Sequence, residues 1–244
     1  MESLISQIES YVVNNISYFH MSRIDKLKSL QLDKLLKSKN PYLYKAKNLN
    51  TPQEVVESIA SAFMSSAEES MFGDWLEGLA IFVAYQVYNG YKSAAEGIDL
   101  EMDKNGIHYF VSIKSGPRWS NSSSMAKLKE YFQKAKRIYH TSGNRNLCEA
   151  IEGCCYGKEK NIQKENHIKL CGKHFWEFIS GSESLYLDII EPLGIEATEK
   201  NLDYKREYNK MITRFTRDFI SNYCDSEGNI LWDKIVSLNS GDTE

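Results

Sequence analysis

GIDLEMDKNGIHYFVSIKSGPRWSN, residues 97–121, decides how the rest of the chain is read. Ile98, Leu100 and Met102 alternate with Asp99 and Glu101, Asn105-Gly106 interrupts, and Ile107, Tyr109, Val111 and Ile113 then alternate with His108, Phe110, Ser112 and Lys114. Alternation on both sides of Asn-Gly predicts a β-hairpin, because tight hairpin turns need the positive φ that Asn and Gly tolerate. With a two-residue turn, Lys104 faces Ile107, Met102 faces Tyr109 and Asp99 faces Ser112. Side chains alternate along a strand, so Asp99, Glu101, Ser112 and Lys114 share one face and the apolar set lines the other. A four-residue loop over 103–106 keeps that parity, and a three-residue loop would reverse it.

Charged residues on one face of a hairpin are ordinarily solvated. The residues after the hairpin point elsewhere. Lys114 runs into Ser115-Gly116-Pro117 and then Arg118, Trp119, Ser120 and Asn121, a strand end beside a donor-rich turn that suits an anionic ligand.

An aspartate in one strand, with a lysine two places after a polar position in the next, resembles the PD-(D/E)xK nuclease superfamily, and the IKSGPxWxN run from Ile113 is similar to type II restriction endonucleases. The resemblance covers residues 74–121 best. Residues 39–48, KNPYLYKAKN, also resemble a stretch of some restriction enzymes. The resemblance implies that Asp99 binds metal and that Lys114 positions or activates the attacking water. Ser112 stands where the pattern has its second acid, so a glutamate from elsewhere would substitute: Glu77, on the helix before the hairpin, or alternatively Glu101 or Glu130.

The length, 244 residues with 42% hydrophobic and 26% charged, suits a globular protein with a sizeable core. No apolar run reaches the roughly 18 residues of a membrane span and no signal-peptide pattern opens the chain, so a cytoplasmic location without membrane contact is expected. Five cysteines, an odd number, suggest reduced thiols. The net charge of −3 hides segregation: residues 111–173 carry 13 Lys and Arg against 5 acids, and residues 21–50 carry 8 against 2. Such tracts can attract DNA even on a mildly acidic chain, although solvated faces are the commoner origin of charge runs.

Along the chain, residues 1–39 read as helical, with a basic amphipathic second half ended by Asn40-Pro41. Thr51-Pro52-Gln53-Glu54 is a capping box opening a helix over about 51–65. A second helix over 71–87 carries Glu77 inside an apolar run, facing either solvent or Asp99, with Asp74 on a neighbouring face. Ser122 to Ser124 are expected to cap a helix to about residue 140, whose buried stripe holds Met125, Leu128, Phe132, Ala135 and Tyr139. Lys127, Lys134 and Arg137 form a second stripe on that helix, able to meet phosphates or simply solvated. Residues 147–156 read as a strand, and 174–193, 202–223 and 230–238 as helices, the first ended by Pro192. His108, beside the turn, is expected at the surface.

Cys154, Cys155, Cys171 and His174 invite a zinc site, but adjacent cysteines form a poor ligand pair, and buried thiols are the expectation. No phosphate-loop, dinucleotide, nucleophile-elbow or HExxH motif occurs.

The fold expected is thus α/β: a PD-(D/E)xK (restriction-endonuclease-like) core, with a mixed β-sheet flanked by helices. It is divided into a helical N-terminal extension (1–50), a nuclease core (51–190) and C-terminal helices (191–244), which could pack as one compact domain. The resemblance implies a type II restriction endonuclease that hydrolyses double-stranded DNA at a short specific site. Mg²⁺ would be held by Asp99, Glu77 and the main-chain carbonyl of Ile113. Ser115, Arg118, Trp119, Asn121 and Lys127 would meet the DNA, and two chains would pair as a homodimer on a palindrome. The alternatives are a structure-directed repair or junction nuclease, a catalytically silent DNA-binding protein of the same fold, and more distantly a zinc-stabilised scaffold.

Overall fold

The computed structural model describes residues 3–195 and 197–241. The chain sorts into two compact units, one formed by the chain up to Ile16 with Phe72–Ile195, the other by Ser17–Met71 with the chain after residue 196. Helices α1 (Leu4–Ser29), α2 (Leu32–Lys37), α3 (Pro41–Ala46) and α4 (Pro52–Tyr88) come first. Strands β1 (Tyr91–Lys92), β2 (Leu100–Lys104) and β3 (Ile107–Lys114) follow, then α5 (Ser122–Thr141), β4 (Leu147–Cys154) and β5 (Ile168–Cys171). Helices α6 (Lys173–Ser180), α7 (Leu185–Asp188), α8 (Ile190–Gly194), α9 (Ala197–Tyr223) and α10 (Trp232–Ser240) complete the described chain.

The first unit is built on a five-stranded mixed sheet in the order β1-β2-β3-β4-β5. β1, β2 and β3 pair antiparallel, and β3, β4 and β5 pair parallel. Asn105 and Gly106 both have positive φ, 54° and 77°, as the tight turn requires. The register sets Lys104 opposite Ile107 and Leu100 opposite Val111, so the parity read from the alternation holds. Parallel strands need a crossover, and α5 supplies it between β3 and β4.

Helix α5 buries Leu128, Phe132 and Ala135 against Ile98, Phe110 and Ala150. It therefore covers the very hairpin face that carries the polar residues. His108 is consequently buried, only 4% exposed, where a surface position was expected. Its ring stacks on Tyr139 at 4.4 Å, with Nδ1 3.0 Å from Asp103 Oδ1 and Nε2 3.1 Å from Glu101 Oε2.

Several elements differ from the reading of the sequence. The helices expected over 51–65 and 71–87 are one helix, α4, of 37 residues. The serine- and glutamate-rich stretch between them loses the apolar period but contains no Gly or Pro to break it. Its capping box is present, Thr51 Oγ1 accepting from Glu54 N–H at 3.2 Å and Glu54 Oε2 from Thr51 N–H at 3.0 Å. Helix α5 is capped by Asn121, whose Oδ1 accepts from Ser124 N–H at 3.0 Å, rather than by the serines after it. The first expected helical stretch breaks into α1 and α2, the latter ending at Lys37 with Ser38 as its cap, so that Asn40-Pro41 opens α3 rather than ending what precedes it. The helix expected over 174–193 stops at Gly181, in the left-handed conformation, and Pro192 lies inside α8.

In the second unit, Leu27, Leu35 and Leu36 pack with Val55, Val56, Ile59 and Met64 of α4 and with Met211, Phe215 and Phe219 of α9. Arg23 Nε donates to Glu68 Oε1 at 2.7 Å, and its guanidinium lies 3.8 Å over the Tyr204 ring. Among the described residues no helix is long and apolar enough to cross a membrane.

Candidate active site

Asp99 immediately precedes β2 and is locked by the hairpin ladder, its N–H donating to Val111 O at 2.9 Å. Three donors from the end of β3 converge on its Oδ2: Ser112 Oγ at 3.2 Å, Ile113 N–H at 2.6 Å and Lys114 Nζ at 3.5 Å. Lys114 Nζ also donates to the carbonyl of Ile113 at 2.9 Å. One cationic group thus already lies between the Asp99 carboxylate and the Ile113 carbonyl. The expected pairing across the hairpin brings Asp99, Ser112, Ile113 and Lys114 together, each half-buried or buried at the strand end.

The glutamates named as substitutes for the missing acid part company. Glu77, on α4, is half-buried and accepts from Lys92 Nζ at 3.0 Å. The Lys92 ammonium is held above its ordinary pKa by Glu77 first, with further support from Asp99 and Asp74. The Cys155 thiol is pushed up to about 12 by burial and then by Glu77, with Lys114 pulling the other way. The Lys92 ammonium thus feels both Glu77 and Asp99, and the neutral Cys155 thiol feels both Glu77 and Lys114. Glu101 is turned away from Asp99: its oxygens accept from Tyr91 Oη at 3.1 Å and from Ser93 Oγ, and contact His108. Glu130 is exposed on α5, where its charge acts on Lys127.

Asp99, the Ile113 carbonyl and Glu77 offer only oxygen donors, the set that hard divalent cations take. Mg²⁺ commonly uses one or two carboxylates beside water and substrate phosphate, so these residues fit it in kind. Among the described residues no group of three His, Cys, Asp or Glu side chains is placed to hold a metal.

A further acid, unmarked by the sequence reading, lies beneath the site. Glu152 on β4 is fully buried and sits beside Ser112 in the parallel register. Its Oε1 accepts from Trp119 Nε1 at 2.7 Å and lies 2.6 Å from Lys169 Nζ, and Oε2 is 3.1 Å from His167 Nε2. Burial opposes its ionisation, but the bonds from His167, Lys169 and Trp119 outweigh that and hold the carboxyl at about 2. Lys169 Nζ also donates to Pro117 O at 3.1 Å, and the Trp119 ring lies 5.2 Å from Lys114 Nζ. The buried acid therefore fixes the loop after β3, and through Trp119 one side of Lys114. A lone acid in a short strand carries no signal of this, because its partners come from residues 119, 167 and 169.

Of the residues expected to meet DNA, Arg118 is exposed and Ser115 half-exposed beside Lys114. Trp119 spends its N–H on Glu152, and Asn121 spends its side-chain oxygen on the α5 cap. Lys127 is exposed on α5 near the Tyr131 ring. Cys154, Cys155 and Cys171 are buried free thiols.

Against known proteins, a family model described as Type II restriction endonuclease EcoO109I matches residues 6–201, most of the chain. No curated protein matches. The five-stranded mixed sheet with flanking helices fits a restriction-endonuclease-like fold.

Proposed function

Because the chain belongs to the type II restriction endonuclease EcoO109I family, we propose that it hydrolyses double-stranded DNA at a short specific site through a PD-(D/E)xK centre made by Asp99 and Lys114. The observation that carries this reading is the bridging position of Lys114 Nζ, 3.5 Å from Asp99 Oδ2 and 2.9 Å from Ile113 O. Asp99, Glu77 and the Ile113 carbonyl would hold Mg²⁺, which when bound would stabilise the charge developing on the scissile phosphate. The Ser112 hydroxyl and the Ile113 N–H keep Asp99 Oδ2 in place. Lys114 Nζ orients the attacking water and offsets negative charge, and the Trp119 ring bounds its movement. In-line attack then breaks the bond to the 3′ oxygen and leaves a 5′-phosphate. Two chains pairing on a palindrome would cut both strands.

Digestion of unmethylated phage DNA in Mg²⁺ tests this, beside an EDTA lane and the Asp99→Ala and Lys114→Ala variants. Discrete bands are expected, lost with EDTA and reduced on the order of 10²–10³-fold in rate by each substitution. Metal-dependent smearing would replace site specificity with a structure-directed nuclease. Ser112, standing at the acid position of the pattern, favours a second reading as a silent DNA-binding protein. Binding without cutting under varied metal and salt would establish it.

A further inference from the structure

At the carboxyl ends of β4 and β5 lies a cavity of about 580 Å³, whose lining includes Tyr156, Lys158, Lys160, Lys173, His174 and Tyr186. Lys158, Lys160 and His174 are exposed, and both tyrosines present open ring surface. One acid, Glu159, also lines it, but Glu159 is engaged by Asn161 N–H at 3.0 Å and by Lys164 at 3.2 Å. Lys173 meets Glu183 at 3.1 Å in a solvent-exposed pair, the kind a phosphate displaces readily. The cavity thus presents three ammonium groups among exposed rings, a surface suited to a phosphate backbone.

Its wall is continuous with the strand that carries Lys114. Cys155 N–H donates to Lys114 O at 2.9 Å and Tyr156 N–H to Ser115 O at 3.1 Å. The Tyr156 ring lies so close on Gly116 that a Cβ there would overlap it, and a Cβ on Gly157 would come within 2.6 Å of Pro117. A Cβ on Gly172 would in turn come within 2.6 Å of Gly157 O. Glycines at these points let the Lys114 loop, the end of β4 and the start of α6 approach closely, and Tyr156, Gly157 and Gly172 themselves line the cavity.

We propose that this cavity is a subsite for a further backbone phosphate of the DNA strand that is cut, held by Lys158, Lys160 and Lys173. The inference rests on the reading of the chain as a DNA-cleaving enzyme and adds where the substrate strand runs beyond the cut. Duplex DNA places a phosphate about every 3.4 Å of axis on each strand, so a strand with one phosphate at Lys114 carries others over the adjoining surface. Lysine serves phosphate as a mobile point charge, which suits a contact independent of base sequence.

Binding of the full chain to a fluorescent duplex over a salt series, with EDTA present and again with Ca²⁺ in its place, tests the subsite. The combined Lys158→Ala, Lys160→Ala, Lys173→Ala variant should flatten the slope of log affinity against log salt by about 0.9 for each phosphate no longer neutralised. The matching Lys→Arg variant should keep the parent slope. A parent slope in the alanine variant, or an arginine variant as impaired as the alanine one, would overturn the subsite while the parent still binds and cuts DNA. A parent chain that binds no duplex at all would overturn both the subsite and the nuclease reading beneath it.

Discussion

Glu152 shows how one side chain can hold a site it does not enter. Its carboxyl is pulled from 4.5 to about 2 because His167, Lys169 and Trp119 stabilise the charged form more than burial disfavours it. A lowered folded-state pKa stabilises the native chain above the unfolded value and loses that contribution as pH falls through the folded one. Unfolding followed by denaturant from pH 6 down to pH 2 should therefore show stability falling between about 4.5 and about 2. In Glu152→Gln that part of the fall should be missing, and an unchanged profile would mean that the carboxyl is not ionised in the fold. Glu152→Ala leaves Lys169 buried without its partner and should cost about 3–5 kcal/mol. The proximity of Asp99 and Lys114 was legible in the sequence because both lie along one hairpin, whereas the bonds of Glu152 were not, its partners coming from residues 119, 167 and 169.

At the scale of elements, local punctuation was readable and continuity was not. Asn105-Gly106 announced the turn, and Thr51 to Glu54 announced the start of α4. The run from Ser65 to Ser70 lost the helical period without containing a breaker, so one helix looked like two. Ser66→Pro distinguishes these cases: it should cost about 3 kcal/mol or more within a continuous helix and little at a junction, as thermal unfolding would record. β1 has two residues and β5 four, and both form by pairing with neighbours rather than by their own pattern. In β4, Gly153 lies directly under Phe175 of α6, so that a Cβ would overlap the ring. Gly153→Ala is expected to cost about 1–3 kcal/mol by overpacking, read from the urea midpoint, and a neutral result would place α6 further from the sheet.

For the whole molecule, the N-terminal and C-terminal helices looked from the sequence like additions to a core. Residues 17–71 share with α9 and α10 a second unit that has its own interior, in which Phe219 is fully buried among α2, α4 and α9 residues, while the start of α1 belongs to the first unit. Such sharing is invisible to periodicity, which reports that a face is apolar but never which distant face meets it. Phe219→Ala should destabilise by about 3–5 kcal/mol, and a change within 0.5 kcal/mol in urea unfolding would contradict that packing. The hairpin has a further consequence, in time. Its pairing spans residues adjacent in the chain, and hairpins close in roughly 1–10 μs, while parallel pairing of β3 with β4 must wait for the α5 crossover. During folding, Asp99 and Lys114 therefore meet before the sheet that shelters them is complete. Pulse-labelled exchange should find the Ile113 amide, bonded to Asp99, protected earlier than that of Cys155, bonded across to β3.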